Sequence, residues 1–178
     1  MCLQFIGGLA RFWEVRGYLR EGLEWLTQAL ELKRSRELTK ARADAILGGG
    51  DLAYLQCNYE LARSFYEEAF AIYQKVGDQK GAGHALVGLG EVATETGDYD
   101  AAPVLFHQAY TMMHQLGDVR GCARARTQLG WGALRVGDYD QAREWLEEGL
   151  ALYELVDDKV AIALVYSGLG EVAIRKKD

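Results

Sequence analysis

Proline is almost missing from this 178-residue chain, with Pro103 the single example. A fold built from many tight turns and short strands uses more, so this scarcity, with 26% charged residues of both signs, favours helices. Cysteine is scarce as well. Cys2, Cys57 and Cys122 are odd in number, widely spaced and free of any C-x-x-C pairing, which argues against a disulfide framework or zinc site and for a reducing compartment. Positive charge is not in excess either. The net charge is −6 and acids alternate with bases, so no basic face for a phosphate backbone emerges and direct nucleic-acid binding is not expected. Long apolar runs are missing too. The opening "MCLQFIGGLARFWEVR" has no basic leader and is broken by Arg11 and Glu14, so it reads as neither signal peptide nor membrane span. The expectation is a soluble, cytoplasmic protein that does not use a membrane.

Groups that carry catalysis are equally thin. His107 and His114 are seven residues apart, about 10 Å along a helix rising ~1.5 Å per residue, too far to share a metal without an outside ligand. His84 stands alone. No Ser-His-Asp or Cys-His spacing is present, and carboxylate pairs such as Glu147 and Glu148 are ordinary on a solvated helix face. The chain is expected not to be an enzyme and to need no metal.

What the chain does have is 49% hydrophobic residues, 21 glycines and a repeat every 40 residues. "GDYDAAPVLFHQAYTMMHQLGD" from Gly97 aligns without a gap on "GDYDQAREWLEEGLALYELVDD" from Gly137, and "CNYELARSFYEEAFAIYQKVGD" from Cys57 shares the register. Tyr59, Tyr99 and Tyr139 recur, as do Ala62, Ala102 and Ala142, and upstream Gly50, Gly90, Gly130 and Gly170. Each unit reads as two helices, A and B. In the third helix B, Tyr99, Ala102, Phe106, Ala109, Met113 and Leu116 follow steps of three and four and form one face. Gly97 is placed to close a helix in the left-handed conformation and Asp98 to cap the next one. Asp138 followed by Gln141 resembles a capping box. Two positions break the pattern: Cys57 replaces the turn glycine, implying another geometry or a cost of about 1 kcal/mol, and Pro103 implies a bend or a late helix start.

Small residues at these helix-pair positions, recurring through four registers, resemble tetratricopeptide repeats over nearly the whole chain. The resemblance implies an all-α fold, an α-α superhelix of antiparallel helix pairs in one domain. Its units cover about residues 1–38, 39–78, 79–118, 119–158 and a partial 159–178. The period of 40 rather than 34, and "LGD" at Leu116-Gly117-Asp118, look like the longer-helix branch of that family. "LARFWEVRGYLREGLEWLTQALEL" is also similar to the repeat region of large bacterial regulators that join a nucleotide-hydrolysing switch module to a helical array. No G-x-x-x-x-G-K-[ST] loop is present, so that activity is not carried over. In the family the A helices line a concave groove. By register it would present Arg11, Asp51, Tyr54, His84, Glu91, Glu95, Arg124, Thr127, Trp131, Arg135 and Glu171 to a protein or peptide partner. Asp51 and Glu91 would suit a basic or amide-rich peptide, and Trp131 between Arg124 and Arg135 an aromatic or acidic group. Glu95 and Arg135 share a register in neighbouring repeats and have a plainer reading, pairing with each other. The chain begins inside a helix A and stops where the next turn is due, so a homodimer through uncapped terminal helices is expected.

One motif points elsewhere. Gly88-Leu89-Gly90-Glu91-Val92-Ala93 matches the G-x-G-x-x-A fingerprint of a dinucleotide-binding turn. That turn must follow a buried strand and open a helix, whereas this match recurs at Gly168 to Ala173, always upstream of the same turn. Close approach of helices is the better reading, and no cofactor is expected. The chain therefore reads as a non-catalytic binding scaffold. The sensing arm of a bacterial transcriptional regulator is the alternative, and a dinucleotide-binding enzyme the last one.

Overall fold

The computed structural model describes residues 2–31 and 37–176, and among these the side chains of all but 2–7 and 11. The described residues form helices and no strands, in the order α1 (Cys2–Arg16), α2 (Leu19–Glu31), α3 (Lys40–Leu55), α4 (Tyr59–Val76), α5 (Gln79–Glu95), α6 (Ala101–Gln115), α7 (Val119–Val136), α8 (Tyr139–Leu155) and α9 (Lys159–Lys176). Odd-numbered helices are the A helices and even-numbered ones the B helices. Successive helices pack side by side, and each A helix also touches the next A helix. The result is an α-α solenoid.

The turns repeat because the same three devices recur. Gly17, Gly77, Gly97, Gly117 and Gly137 all have φ between 67° and 82°. The residue after each sends its N–H back five residues, as Asp98 does to Ala93 at 2.8 Å and Asp118 to Met113 at 2.9 Å. The same aspartate then accepts from the N–H three residues on: Asp78 from Gly81 at 3.0 Å, Asp118 from Gly121 at 3.1 Å and Asp158 from Ala161 at 3.2 Å. Cys57 keeps this geometry, at φ 57°, and so does Asp157, at φ 49°. Both therefore accept the left-handed penalty instead of changing the turn. The capping box at Asp138 forms only halfway. Asp138 Oδ1 accepts from Gln141 N at 3.1 Å, but the Asp138 N–H is already donated to Ala133, and Gln141 turns to Glu144 at 2.8 Å. Pro103 delays its helix as expected: α6 begins at Ala101, whereas α8 begins at Tyr139, directly after its cap. Asp98 still accepts from Ala101 N at 3.1 Å.

Packing explains the glycines. Gly88 and Gly90 lie mid-helix in α5, on faces turned to different neighbours. A Cβ on Gly88 would come within 2.6 Å of the Tyr66 ring of α4, and one on Gly90 within 2.5 Å of the Phe106 ring of α6. Gly50 holds Tyr66 from its other side and Gly130 holds Leu146, again at 2.5 and 2.6 Å. Rings therefore fill the space that a pyrophosphate would need at this fingerprint, and the fingerprint lies inside a helix, not in a strand-to-helix turn.

A ladder of ion pairs crosses the repeats at the same interval. Lys40 pairs with Asp78, Lys80 with Asp118 at 2.8 Å, and Arg120 with Asp158 at 2.9 Å. Each cation is well exposed, so a rung contributes at most about 1 kcal/mol. Its acid, however, is a helix cap. Burial raises the Asp78 and Asp118 carboxyls, but the N–H groups of Gly81 and Gly121 and the facing lysines outweigh it and hold both below the usual carboxylate range.

Two outcomes follow from this packing. Gly90→Ala should destabilise by about 1–3 kcal/mol, because displacing Phe106 outweighs the gain in helix propensity. Gly132→Ala in α7, where a Cβ meets nothing within 4 Å, should be neutral or stabilising by about 0.5–1 kcal/mol; equal melting shifts for the two would contradict the socket. The lowered carboxyls of Asp78 and Asp118 contribute stability that is complete above the unfolded value of about 3.9 and is lost as pH falls through their folded values. The urea midpoint should therefore fall below about pH 4, and Asp118→Asn, which can still cap the helix, should lessen that fall.

Candidate functional site: the A-helix groove

Groove positions of α5 and α7 meet through a step of 33 residues. Glu91 of α5 is 7% exposed and faces Arg124 of α7, whose guanidinium donates to it from Nη2 at 2.8 and 2.9 Å and from Nε at 3.2 Å. Gln128 Nε2 donates to the same carboxylate. The Glu91 charge, reinforced by Asp51, holds the Arg124 guanidinium above its usual range although burial opposes it. This is the best-connected polar cluster of the groove, and it closes on itself.

Toward the N-terminal end the groove is acidic. Asp51 opens to the groove and accepts from the Tyr66 hydroxyl at 2.9 Å. Crowding by the groove walls pushes its carboxyl up, and the Arg124 charge pulls it back. Two turns earlier Asp44 accepts from the Tyr73 hydroxyl at 2.7 Å and from Lys40 at 3.4 Å. His84 is half-buried, and burial together with Arg124 lowers its imidazole below the usual value. Tyr54 is half-buried with its ring 5.8 Å from that of Tyr59, and burial pushes its phenol up.

Toward the other end the groove carries arginine and tryptophan. Glu95 pairs with the exposed Arg135 at 2.5 Å, so the plainer reading of that pair describes the geometry. Trp131 is half-buried between two clefts. One, of about 220 Å³, is shared with Arg124, Gln128, Tyr153 and Leu164; the other, of about 510 Å³, with Arg135, Tyr139, Glu171 and Arg175. Glu171 accepts from Arg175 at 3.3 Å. The indole also has a packing contact, since a Cβ on Gly168 would lie 3.0 Å from its edge. Thr127 is 8% exposed, donates its hydroxyl to the Ala123 carbonyl at 2.9 Å, and has its oxygen against Gly149 of α8. The Arg11 side chain lies outside the described residues. Sequence reasoning missed Gln128 and Tyr66. Gln128 had a readable signal, since it breaks a column otherwise made of Gly48, Gly88 and Gly168. Tyr66 had none, because its ring reads as core and only its hydroxyl reaches the groove.

Among the described residues no group of His, Cys, Asp and Glu is placed to hold a metal ion, and no helix is long and apolar enough to cross a membrane.

Helix pairs stacked with a groove along their A helices define a helical-repeat solenoid. The model of the tetratricopeptide repeat matches residues 41–115 and again 81–155, and the chain belongs to that family. No curated protein matches it by sequence. Among solved structures it is similar to BtubC from P. vanneervenii, at 19% identity and a TM-score of 0.76, covering 97% of this chain and 72% of that one. A Rap protein complexed with Competence and Sporulation Factor matches at 14% identity and a TM-score of 0.80, covering 98% of this chain and 54% of that one. The STAND protein with a tetratricopeptide repeat sensor from Pyrococcus horikoshii matches at 16% identity and 0.79, covering 97% of this chain and 27% of that one. At these identities the likeness is one of fold.

The cluster generates a stability outcome. Glu91→Ala removes the acceptor of both Arg124 and Gln128 and should cost about 1–3 kcal/mol, whereas Glu95→Ala on the exposed pair should cost no more than about 1 kcal/mol. Replacing Glu91 and Arg124 together by leucine should recover most of the first loss in urea unfolding, since it leaves no unpaired charge.

Proposed function

We propose that the chain is a non-catalytic scaffold that binds a protein or peptide along its A-helix groove. The observation that carries this reading is the chemical gradient of that groove. Small residues build its walls, while its facing positions run from Asp44 and Asp51 through the Glu91–Arg124 pair to Trp131 and to Arg135 and Arg175, which pair with Glu95 and Glu171. An extended peptide with basic or amide groups toward α3 and aromatic or acidic ones toward α9 complements that order. The Trp131 clefts are the natural anchor, because an aromatic side chain there would cover a half-buried indole. Self-association through terminal helices belongs to the same reading as a second contact, away from the groove.

A second reading makes the chain a sensing arm in the cytoplasm of a bacterium, coupled to a switch module. What favours it is the similarity to the Rap protein complexed with Competence and Sporulation Factor and to the STAND protein with its repeat sensor, of which this chain spans only part. In that case the groove would take an effector peptide, so the first test is common to both.

A random peptide library displayed on phage should enrich binders to the intact chain. The enriched peptides should lose at least about tenfold in affinity, roughly 1.4 kcal/mol, for Trp131→Ala and Asp51→Lys, while both variants keep the helical unfolding transition. Peptides that bind these variants as well as the parent chain would place recognition outside the groove.

A further inference from the structure

We propose that the junction of α6, α7 and α8 is a small-molecule site, a cavity for one aromatic ring bearing a hydrogen-bond donor, opened where Gly132 stands in place of a core side chain. The repeat itself shows which side chain is missing. Leu52, Val92 and Val172 are buried in α3, α5 and α9, and the same column carries Gly132 in α7. Val92 packs with Ala62 and Tyr66 of α4, and Val172 with Ala142 and Leu146 of α8. Forty residues from each of these pairs lie the same two residues of α6, Ala102 and Phe106. Both line a cavity of about 140 Å³ beside Gly132. A Cβ on Gly132 meets nothing within 4 Å, so the helices have not closed over the lost side chain. Two further departures of this repeat converge on the same opening. Arg63 of α4 reaches across to the Thr96 hydroxyl at 3.4 Å, but Pro103 and Val136 take the equivalent positions and leave an apolar rim. Tyr59 and Tyr139 begin their helices half-buried, whereas the late start of α6 leaves Tyr99 at the cavity mouth, outside the helix and 41% exposed.

Size and lining set what fits. The volume is close to the ~150 Å³ of an apolar cavity that takes up benzene and well below the roughly 300–1,000 Å³ of drug-sized sites, which leaves room for a single ring. Tyr99, Phe106 and Trp145 supply the aromatic lining, and ring pairs gain from offset or edge-to-face contact beyond the area they bury. That favours a ring over an aliphatic chain. The polar part of the lining lies at the start of α8, where Asp138 and Gln141 stand. Asp138 Oδ1 accepts from Gln141 N at 3.1 Å, and a carboxylate has capacity for further donors while offering none itself. The ligand therefore supplies the donor, as the hydroxyl of a phenol does. The cavity shares only Gln128 and Val136 with the two clefts around Trp131, so this site stands apart from peptide capture by the groove.

Titrating the ¹⁵N-labelled chain with phenol tests this by NMR. The amide signals of Gly132, Ala133 and Gln141 should shift saturably, with a dissociation constant of about 1 mM or tighter. Anisole keeps the ring but has no donor, and should bind at least about fivefold more weakly. Gly132→Ala should weaken phenol binding, and Gly132→Val, which restores the column, should abolish it while the melting temperature holds or rises. Trp131→Ala should leave the phenol affinity within about twofold, because the two sites are separate. Phenol that causes no saturable shift, or that binds Gly132→Val as well as the parent chain, overturns the site. A lowered melting temperature for Gly132→Val also overturns it, since the valine would then have no room. Shifts lost with Trp131→Ala but kept with Gly132→Val would move the ring to the groove and overturn this cavity. Anisole binding as tightly as phenol overturns the donor requirement.

Discussion

The insertion of one bulky side chain from each of α4, α6 and α8 into a glycine of the preceding A helix is the contact on which the rest of this solenoid depends. Tyr66, Phe106 and Leu146 are each essentially inaccessible to water, and each lies closer to a glycine Cα than any residue with a side chain would permit. Burying such a group contributes roughly 1.5–3 kcal/mol, but only while the helix backbones remain close enough to leave no void. That requirement fixes the interhelical distance, and the distance in turn fixes where the A helices stand along the groove. Tyr66 illustrates the economy of the arrangement: its ring lies between Gly50 and Gly88, joining two repeats, while its hydroxyl reaches Asp51 in the groove. One side chain thus connects the core to the candidate site.

The turns convert this local contact into a long-range order. A left-handed residue, a five-residue backbone return and an aspartate cap recur with little change, so each helix starts at nearly the same angle as its counterpart 40 residues earlier. The cap also receives the cation of the preceding repeat, at Asp78, Asp118 and Asp158. Weak rungs of this kind do little for stability at an exposed site. Their effect is on register, since a helix displaced by one residue would move its cation away from the cap. In a quasi-one-dimensional fold, where each unit touches only its neighbours, a constant register between neighbours sets the whole superhelix.

Period, helix pairing, turn chemistry and the structural meaning of the glycines were legible in the sequence, because each is a local pattern that occurs several times. Cys57 and Pro103 were legible as exceptions, and the structure resolves how each is accommodated: the cysteine keeps the left-handed turn, and the proline shortens α6 at its start. The groove was less legible. Register placed Glu91, Arg124 and Trp131 on A helices, but it gave no account of which side chains satisfy one another across a 33-residue step. Gln128 joining Glu91, Thr127 turning toward Gly149 and the Gln141 side chain leaving its cap for Glu144 are competitions between partners of similar strength. Such competitions are decided by distances of a few tenths of an ångström, which sequence spacing does not contain.

A repeat protein carries its own comparison set, and this one can be read column by column. The glycines at 50, 90 and 130 recur because the socket contact with Tyr66, Phe106 and Leu146 leaves them no freedom. The column of Asp44, His84, Arg124 and Leu164, and that of Asp51, Glu91, Trp131 and Glu171, change charge, size and aromaticity from one repeat to the next. If these positions served only to join adjacent repeats, the pair joining α5 to α7, Glu91 with Arg124, would recur. Instead the equivalent step places Asp51 before His84 and Trp131 before Leu164, and the aspartate takes its hydrogen bond from Tyr66. Exposed B-helix columns vary as well, as Ser64, Val104 and Glu144 do, so what sets the groove columns apart is that equivalent positions find different partners from one repeat to the next.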